Sequence, residues 1–323
     1  MKVVVWRVTQ RCNLSCKFCG YDRELSWKRN EAAPERMRAF GAVLAEWARL
    51  NRQRVLVSWL GGEPLLWKPL AELTRIFRQE FDLEISATTN GTTLGCKTVR
   101  AHLIDHYSEL TISVDAPGAQ HDMLRGWPGG FEQLGVAVRA LAREKGGAGR
   151  GPLLRGNVVL MHGTIAKFGA LCHELAGWGI EEITFNQLGG NDRPEFYPAN
   201  RLQSAQVAMF EEELCSLRPE LGARGLRLRG GSDYLSRIAA SSDGRRLPVE
   251  DCRIGEHFLF INEEGLAAPC SFTTEGYGVP IKEIDTVEKL NQLPGRFLMA
   301  RNQRRLAACE DCHSTQMFDK FLL

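Results

Sequence analysis

The sequence has no excess of charge of either sign and no long apolar run. Its 323 residues include 41 Lys or Arg and 39 Asp or Glu, which gives a formal net charge of +2. This balance lacks the basic footprint of a nucleic-acid-binding protein. No apolar stretch reaches the length of a membrane span, and the opening segment MKVVVWRVTQRC lacks the apolar core and cleavage site of a signal peptide. We therefore expect a cytoplasmic protein with no nucleic-acid or membrane partner.

Internal repeats and low-complexity tracts are also missing. With 44% apolar and 25% charged residues, the composition is that of an ordinary globular protein. The length suffices for one large barrel or two modest domains. Cysteine, in contrast, is plentiful, with ten residues. Because thiols stay reduced in the cytoplasm, these cysteines indicate metal ligands or catalytic groups before disulfides.

Strand-like and helical segments alternate along the first two thirds of the chain. Strands are predicted at 3–8, 54–60, 83–89, 109–115, 156–162 and 181–188, and helices at 37–50, 70–81, 165–178 and 201–217. Continuous apolar strands alternating with helices predict an α/β fold whose parallel sheet is buried on both faces. A doubly wound sheet and a partial barrel fit this alternation equally well. Either fold places functional groups at the carboxyl ends of the strands.

The alternation ends after the helix predicted at 201–217. The segment 221–251 is rich in Gly, Arg and Ser, which is typical of a connection between domains. Beyond it, HFLFINEEGLAAPC predicts a β-hairpin, and a helix is predicted near 286–293. We therefore predict two domains, residues 1–222 and residues 223–323.

Three cysteines lie in one short loop directly after the first predicted strand. In TQRCNLSCKFCG, residues 9–20, Cys12, Cys16 and Cys19 have the spacing C-x3-C-x2-C. Three thiolates from one loop can bind three irons of a [4Fe-4S] cluster and leave the fourth iron to an outside ligand. Part of a zinc site is the alternative, but the next cysteine is Cys96 and no nearby His or Cys completes such a site.

This loop and the motifs after it resemble the radical S-adenosylmethionine (radical SAM) family over about 220 residues. The resemblance implies that Cys12, Cys16 and Cys19 hold a SAM-binding [4Fe-4S] cluster and that Phe18 packs against adenine. It also implies that the motif GGEP binds the methionine part of SAM, through Gly61, Gly62, Glu63 and Pro64. Glycines permit a close backbone approach, and Glu63 can add a charge-assisted hydrogen bond. Taken alone, GGEP could be a simple turn.

Weaker matches to the family follow the later strands. TTNGT, residues 88–92, follows the third strand, and ISVDAPGAQHDMLRG follows the fourth. The resemblance implies ribose, adenine or carboxylate contacts for Ser113, Asp115, Arg125, Asn157 and Leu188. The planar guanidinium of Arg125 suits a carboxylate. A serine or aspartate that caps a turn explains Ser113 or Asp115 equally well when each is taken singly.

The resemblance further implies a fold and a reaction. The fold is a partial (β/α)6 TIM-like barrel followed by a small β-hairpin and helix iron–sulfur domain. In the reaction, SAM is cleaved reductively to a 5′-deoxyadenosyl radical, which removes a hydrogen atom from an unactivated carbon of the substrate. The cofactor supplies this chemistry, and the protein orients the target. The implied electron donor is a reductant of the flavodoxin or ferredoxin type.

Four further cysteines lie beyond the predicted boundary. Cys252, Gly265 and Cys270 form C-x12-G-x4-C, and the pair Cys309 and Cys312 follows in CEDC. This pattern resembles the start of a SPASM domain, an extension common in radical SAM enzymes that mature peptides. The remaining HSTQMFDKFLL contains no cysteine, so the resemblance is to the shortened twitch form with one auxiliary cluster. Four thiolates can bind all four irons of a [4Fe-4S] cluster, so we assign such a cluster to electron transfer. A structural zinc site is the alternative.

Three cysteines lie outside both groups. Cys172 and Cys215 are predicted to pack as hydrophobic residues in helices. Cys96 is predicted to start a helix after the third strand, on the active-site side, where its thiol could donate a hydrogen atom to a substrate radical. An ordinary thiol in the first helical turn is the alternative. His162 and Asn186, at strand ends, are candidate substrate contacts.

Three functions are compatible with the sequence. The first is a redox modification of a ribosomal peptide in natural-product biosynthesis, by cross-linking, thioether formation or epimerisation, with net oxidation expected. Because the cysteine triad begins at residue 12, we expect such a substrate to need a separate leader-peptide-binding protein. The second is a dehydrogenase or epimerase of a small metabolite, such as an aminocyclitol or sugar, with Cys96 as hydrogen donor. The third is a zinc-stapled binding module, in which Phe18 and GGEP have no role.

Overall fold

The structure is a computed structural model that describes residues 1–249, 252–253 and 255–313. In this part of the chain, ten strands form one sheet in the order β10-β9-β8-β1-β2-β3-β4-β5-β6-β7. The strands are β1 (Lys2–Thr9), β2 (Val55–Gly61), β3 (Glu84–Thr89), β4 (Glu109–Ser113), β5 (Leu153–Leu160), β6 (Glu182–Gln187), β7 (Arg227–Leu228), β8 (Phe258–Ile261), β9 (Leu266–Ala268) and β10 (Val279–Pro280).

Helices connect the strands and cover one face of the sheet. They are α1 (Pro34–Asn51), α2 (Leu70–Gln79), α3 (Lys97–His106), α4 (Ala119–Arg125), α5 (Gly130–Ala148), α6 (Phe168–Trp178), α7 (Tyr197–Asn200), α8 (Ser204–Ala223), α9 (Ser232–Ser242), α10 (Thr274–Tyr277), α11 (Val287–Gln303) and α12 (Ala307–Glu310). The predicted strands and helices are confirmed, although several ends shift. In the described residues, no helix combines the length and apolar composition that crossing a membrane requires.

The strand order decides between the two predicted architectures. β1 to β6 pair in chain order and in parallel, and β7 adds to β6 in the same direction. A doubly wound sheet reverses its strand order at a switch point, whereas a barrel wall does not. In the described chain, β7 and β10 end the sheet, so the wall stays open. The predicted partial barrel is therefore the observed fold.

The two faces of the barrel wall differ in polarity. The helix side holds an aromatic core, in which the Trp6 ring lies 5.8 Å from Phe40 and the Trp59 ring 5.3 Å from Phe77. The other side carries small polar residues at alternate positions, and three examples are the partly exposed Ser58, Thr88 and Thr111. The expectation of a sheet buried by apolar residues on both faces is thus wrong. The inner face of a partial barrel lines a lumen, and here that lining is polar.

The C-terminal segment extends the same sheet. β8 and β9 form the predicted hairpin, and β8 pairs in parallel with β1, with Leu259 beside Val4. The hairpin therefore covers an edge of β1 that would otherwise expose unpaired backbone groups. Ile284 and Phe297 belong to the same buried core as Trp6. The division into residues 1–222 and 223–323 stays a prediction, and residues 314–323 lie outside the described chain.

Candidate functional site

The cysteine triad lies at the carboxyl end of β1. Cys16 is buried, and Cys12 and Cys19 are partly buried. The Leu14 N–H donates to Cys12 Sγ over 3.5 Å, and the Tyr21 N–H donates to Cys19 Sγ over 3.4 Å. The Cys16 thiol is close enough to interact electrostatically with the thiols of both Cys12 and Cys19.

The three thiols are difficult to ionise without a bound cation. Burial raises the pKa of Cys16 to about 11, and proximity to Cys12 adds to the rise. Burial likewise raises the pKa of Cys19 to about 12, with a smaller contribution from Cys16. A metal bound by thiolates lowers such pKa values strongly, because the ligand must be deprotonated. The donor set therefore fits an iron–sulfur group that supplies positive charge.

One buried guanidinium lies beside the triad. Arg125 Nε donates to Asp115 Oδ2 over 2.7 Å, and Asp115 Oδ1 accepts from the Val159 N–H over 3.0 Å. Burial alone lowers the pKa of Arg125, but Asp115 and the thiols of Cys16 and Cys19 outweigh it, so the pKa is raised. The predicted contact of Arg125 with the SAM carboxylate stays a prediction. The structure shows that its Nε is already held by Asp115.

The glycines of GGEP allow β2 to approach the cysteine loop. A Cβ on Gly61 would lie 2.4 Å from the Thr9 carbonyl oxygen, and a Cβ on Gly62 would lie 2.3 Å from the Arg11 carbonyl oxygen. Side chains at these positions would therefore clash with the backbone of the loop. The Gly62 N–H also donates to Thr9 over 2.9 Å. The contact that requires glycine here is with the protein itself.

Glu63 joins the ends of β2 and β3. Its fully buried carboxylate accepts from Thr89 Oγ1 over 2.8 Å, from the Asn90 N–H over 2.6 Å and from the Leu65 N–H over 3.1 Å. Burial raises the pKa of Glu63 to about 7, although these hydrogen bonds oppose the rise. Pro64 begins a short 3-10 helix after it. The predicted hydrogen bond from Glu63 to SAM stays a prediction, and the carboxylate already has three donors.

Phe18 and Leu188 meet in a small apolar cluster separate from the main core. Phe18 packs against the cluster that Ala116, Leu124, Met161 and Leu188 form. The Arg125 guanidinium lies 5.4 Å from the centre of the Phe18 ring. The structure thus brings together the two residues predicted to contact adenine, beside the arginine predicted to contact carboxylate.

Polar residues continue this site on the inner face of the barrel. Ser113 on β4 lies beside Asn157 on β5 in the strand register. Asn157 Oδ1 accepts from Thr184 Oγ1 over 3.0 Å and from Asn186 Nδ2 over 3.1 Å. The candidate substrate residue Asn186 is therefore joined to Asn157. Ser113 and Asn157 are neighbours, as the predicted ribose contacts require.

The four C-terminal cysteines form a second group of neighbouring thiols. Burial raises the pKa of Cys252 to about 11, and Cys270, Cys309 and Cys312 lie close enough to add to the rise. The Val249 N–H donates to the Cys309 carbonyl over 3.1 Å, which holds CEDC next to the segment that precedes Cys252. The four predicted ligands of the auxiliary site therefore lie near one another. The auxiliary cluster itself stays a prediction.

The second thiol group reaches the edge of the barrel where the first one lies. Gln187 Nε2 and His313 Nδ1 are 3.2 Å apart, and they join the end of β6 to the residue after Cys312. Within the described ranges, no three Cys, His, Asp or Glu side chains are grouped to hold a single metal ion. In a [4Fe-4S] cluster each thiolate binds a different iron, so single-ion grouping is not required.

The remaining predicted residues have mixed outcomes. Cys172 is fully buried in α6, as predicted, but the prediction that Cys215 is packed is wrong, because its side chain is exposed on α8. The buried stripe of α8 includes Leu214, and Cys215 falls one position off it. Cys96 precedes α3 as predicted and is exposed, and a hydrogen bond with Thr98 lowers the pKa of its thiol. His162 is exposed, and its Nδ1 lies 2.9 Å from Gln206 Oε1.

Two residues of this site carried no assigned role in the sequence analysis. Asn90 Nδ2 lies 3.7 Å from Cys12 Sγ. Arg29 donates to the backbone carbonyls of Gln10, Tyr21, Asp22 and Leu25 around the cysteine loop. The motif TTNGT contains Asn90 and was a usable signal. The contacts of Arg29 join separate turns of one loop, and local sequence patterns do not report them.

Comparisons with known proteins show similarity to one family. Residues 6–163 match the family model described as the Radical SAM superfamily. The AdoMet-dependent heme synthase of Methanosarcina barkeri is 24% identical over 280 residues, which cover 84% of this chain and 77% of that protein. Pre-heme d1 synthase of Dinoroseobacter shibae is 33% identical over 144 residues, 44% of this chain and 33% of that protein. The chain spans about a third of the length of several such relatives.

Peptide-related proteins are among the similar ones. The sporulation killing factor maturation protein SkfB of Bacillus subtilis is 28% identical over 144 residues, 42% of this chain and 32% of that protein. The structure of Streptococcus suis SuiB bound to S-adenosylmethionine superposes with a TM-score of 0.66 at 17% identity, over 96% of this chain and 72% of that chain. The structure of anSMEcpe with bound AdoMet superposes with a TM-score of 0.66 at 16% identity, over 96% of this chain and 88% of that chain. These structures share the partial-barrel fold.

Proposed function

We propose that this chain, which matches the Radical SAM superfamily model over residues 6–163, is a radical SAM oxidoreductase that cleaves SAM at a [4Fe-4S] cluster held by Cys12, Cys16 and Cys19. The cluster and SAM, when bound, would supply a 5′-deoxyadenosyl radical that removes a hydrogen atom from the substrate. The observation that carries the proposal is the group of three neighbouring thiols at the carboxyl end of β1. Their raised pKa values mean that bound cationic iron would stabilise them as thiolates.

The residues around the triad suggest how SAM is oriented. The apolar cluster of Phe18 and Leu188 suits adenine, and the neighbouring Ser113 and Asn157 suit the ribose hydroxyls. Arg125 suits the carboxylate, with Asp115 fixing its orientation. The Glu63 carboxylate is occupied by protein donors, so we assign the methionyl amine to backbone carbonyls of GGEP.

We further propose that Cys252, Cys270, Cys309 and Cys312 hold an auxiliary [4Fe-4S] cluster in a twitch-like segment after residue 222. Four thiolates would bind all four irons of this cluster, so no iron would be left for a substrate, and we assign the cluster to electron transfer. The contact between Gln187 and His313 supports that role, because it joins the auxiliary segment to the barrel edge. In a net oxidation, the substrate radical gives up one electron after the hydrogen atom has left. The auxiliary cluster would accept that electron.

The substrate that we favour is a ribosomal peptide undergoing redox modification in natural-product biosynthesis. SkfB is named as a maturation protein of the sporulation killing factor. SuiB was solved bound to the precursor peptide SuiA, and anSMEcpe with the Kp18Cys peptide. Among the described residues the barrel wall is not closed, and an open wall would give an extended peptide access from the side. A separate leader-peptide-binding protein and a flavodoxin- or ferredoxin-type reductant would be the partners.

A small polar metabolite is the second candidate, and the inner face of the barrel favours it. Ser58, Ser86, Thr88 and Thr111 lie on three adjacent strands, with Ser58 beside Ser86 and Thr88 beside Thr111. Their hydroxyls have no hydrogen-bond partner among the described residues. Such a wall suits the hydroxyl groups of a sugar or cyclitol. In this alternative, Cys96 is the candidate hydrogen donor to the substrate radical.

The inner face gives less support for a tetrapyrrole like those named for the heme synthases. A macrocycle with several carboxylates calls for several available cations. Arg155, near the amino end of β5, binds Glu109 and Glu182, and Arg229, which follows β7, binds Glu182. The charges of these two arginines are compensated by protein carboxylates, so they would not serve such a substrate.

Cleavage of SAM tests the proposal directly. Anaerobically reconstituted protein is reduced with dithionite in the presence of SAM, and 5′-deoxyadenosine is quantified. We expect the wild-type protein and the Cys215→Ala control to form it, and Cys16→Ala to form none. The double variant Cys309→Ala/Cys312→Ala should retain cleavage and lose about half of its iron, because one of two four-iron clusters is removed. Protein that binds zinc and no iron would contradict the proposal.

Solvent deuterium separates the two candidate reactions. If the reaction is a net oxidation, Cys96→Ala should leave turnover within about twofold of wild type, because an exposed thiol then has no catalytic role. If the product instead carries one solvent deuterium at an inverted carbon, and Cys96→Ala abolishes that product, the epimerase alternative prevails. The product is analysed by mass spectrometry after reaction in heavy water.

A further inference from the structure

Asn90, the residue after β3, directs its side-chain amide at a thiol of the cysteine triad. Asn90 Nδ2 lies 3.7 Å from Cys12 Sγ, within hydrogen-bonding distance of sulfur. The same nitrogen donates to Asn13 Oδ1 over 3.0 Å. An amide nitrogen carries two hydrogens, so one can serve each acceptor. The motif TTNGT, to which no role was assigned, thus supplies a direct contact to a cluster ligand.

The orientation of this amide follows from its hydrogen bonds. The Thr92 backbone N–H donates to Asn90 Oδ1 over 3.0 Å, and Thr92 Oγ1 donates to the same oxygen over 2.8 Å. A backbone N–H can only donate, so the atom that faces it must be the amide oxygen. Asn13 Nδ2 in turn donates to Thr92 Oγ1 over 2.9 Å. The nitrogen therefore faces Cys12, and a flipped amide would place two donors together.

Buried groups hold the backbone of Asn90 in place. Its N–H donates to the carboxylate of Glu63 over 2.6 Å, and the same carboxylate accepts from Thr89 Oγ1. Gly91 follows with a φ of +80°, and its N–H donates to Thr89 Oγ1 over 3.0 Å. A Cβ on Gly91 would lie 2.2 Å from Leu134 Cδ1. The amide is thus fixed before any cluster binds.

We propose that Asn90 is a positioning residue that donates an N–H···S hydrogen bond to the Cys12 thiolate and raises the reduction potential of the SAM-binding cluster. This inference rests on the proposed function, because it requires a cluster at the triad. A hydrogen bond to a ligand sulfur draws electron density away from iron and so favours the reduced cluster. The redox step is the gain of one electron by the oxidised cluster, and dithionite supplies that electron in the test.

Redox titration followed by electron paramagnetic resonance tests this inference. Asn90→Ala removes the donor, and Asn90→Asp replaces it with a carboxylate oxygen of similar shape. We expect both variants to have a lower potential at the SAM-binding cluster, with the larger shift in Asn90→Asp, which adds negative charge. The auxiliary cluster of the same molecule is the internal reference and should keep its potential. Asn51→Ala, at the end of α1, is the matched control and should change neither potential.

The possible outcomes separate this inference from the proposed function. Wild-type protein with no reducible cluster at the triad would end the proposed function itself. If the wild-type cluster forms and its potential is unchanged in Asn90→Ala, the inference is overturned but the proposed function is not. A shift in Asn90→Asp without a shift in Asn90→Ala also overturns the inference, because it is then an effect of the added charge. If neither variant assembles the cluster while circular dichroism stays native, Asn90 acts in assembly and the tuning role is wrong.

Discussion

At the scale of single residues, the site depends on a few buried polar groups whose partners lie far away in sequence. Cys12, Gly62 and Glu63 could be found from the sequence, because motif spacing places them near a cluster. Two of the donors to Glu63, Thr89 and Asn90, could not be found, because they come from the end of the next strand. The same holds for the hydrogen bond between Arg125 and Asp115, whose contacts with SAM stay a prediction.

We expect Asp115→Asn to destabilise the protein by about 3–5 kcal/mol, because it leaves the buried Arg125 without its counter-charge. The matched control is Asp105→Asn, which breaks the exposed pair of Asp105 with Arg150 and should cost less than about 1 kcal/mol. Urea unfolding of both variants and wild type measures the difference. Equal losses for the two variants would show that Asp115 does not compensate the charge of Arg125.

His121 should make the protein sensitive to acid. Burial lowers its pKa to about 4, and Arg125 adds to the effect. Below the ordinary pKa of 6.5, the unfolded chain binds a proton that folded His121 refuses, so stability falls as the pH drops from 6.5 towards 4. Between pH 7 and pH 5 this amounts to about 2 kcal/mol.

Unfolding at these two pH values measures this loss for His121→Asn and for the control His257→Asn, which changes an exposed histidine. The first variant should lose less stability on acidification than wild type does. The control should lose as much as wild type. The same loss in His121→Asn as in wild type would contradict the assignment.

At the scale of elements, the cysteine loop between β1 and α1 has little regular secondary structure, so its shape depends on side-chain contacts. Arg29 supplies several of them, through donors to four carbonyls and a position 4.9 Å from the centre of the Trp27 ring. These contacts of one arginine with four carbonyls could not be predicted, because no local sequence pattern indicates them. Hydrophobic periodicity, by contrast, predicted the long helices well, and it failed for Cys215, one position off a buried stripe.

Arg29→Ala should make the SAM-binding cluster labile, because the loop carbonyls lose a charged donor worth about 1.5–3 kcal/mol per hydrogen bond. We expect at least a severalfold faster loss of iron from the triad to a chelator. Arg23→Ala is the matched control, since among the described residues the exposed Arg23 side chain donates to a single loop carbonyl, that of Asn13. Iron release is followed by visible absorption in variants that lack Cys309 and Cys312. Similar rates for Arg29→Ala and Arg23→Ala would exclude this role of Arg29.

At the scale of the whole molecule, the N-terminal barrel and the C-terminal segment share one sheet and one core. Trp47 Nε1 donates to Asn291 Oδ1 over 2.7 Å, and Arg7 and Gln10 donate to the buried carboxylate of Glu263. The sequence predicted the hairpin of β8 and β9 but not its pairing with β1. Pairing between distant strands depends on how the chain closes in three dimensions, which periodicity does not encode.

The shared sheet predicts that the two parts unfold together. Hydrogen exchange with mass spectrometry, at increasing denaturant, can follow the amides of β2 and β8 separately. We expect both strands to become exchangeable with the same midpoint and the same denaturant dependence. Loss of protection in β8 at a clearly lower denaturant concentration would show an independently unfolding C-terminal unit.

The central claim is that the triad holds a cluster with one iron left open for SAM. Electron–nuclear double resonance tests it on the reduced protein, with SAM that carries the heavy nitrogen isotope in its methionyl amine. We predict a coupling between this nitrogen and the cluster spin, present in wild type and in Cys309→Ala/Cys312→Ala and absent in Cys16→Ala. A reduced cluster at the triad that shows no such coupling would contradict the claim.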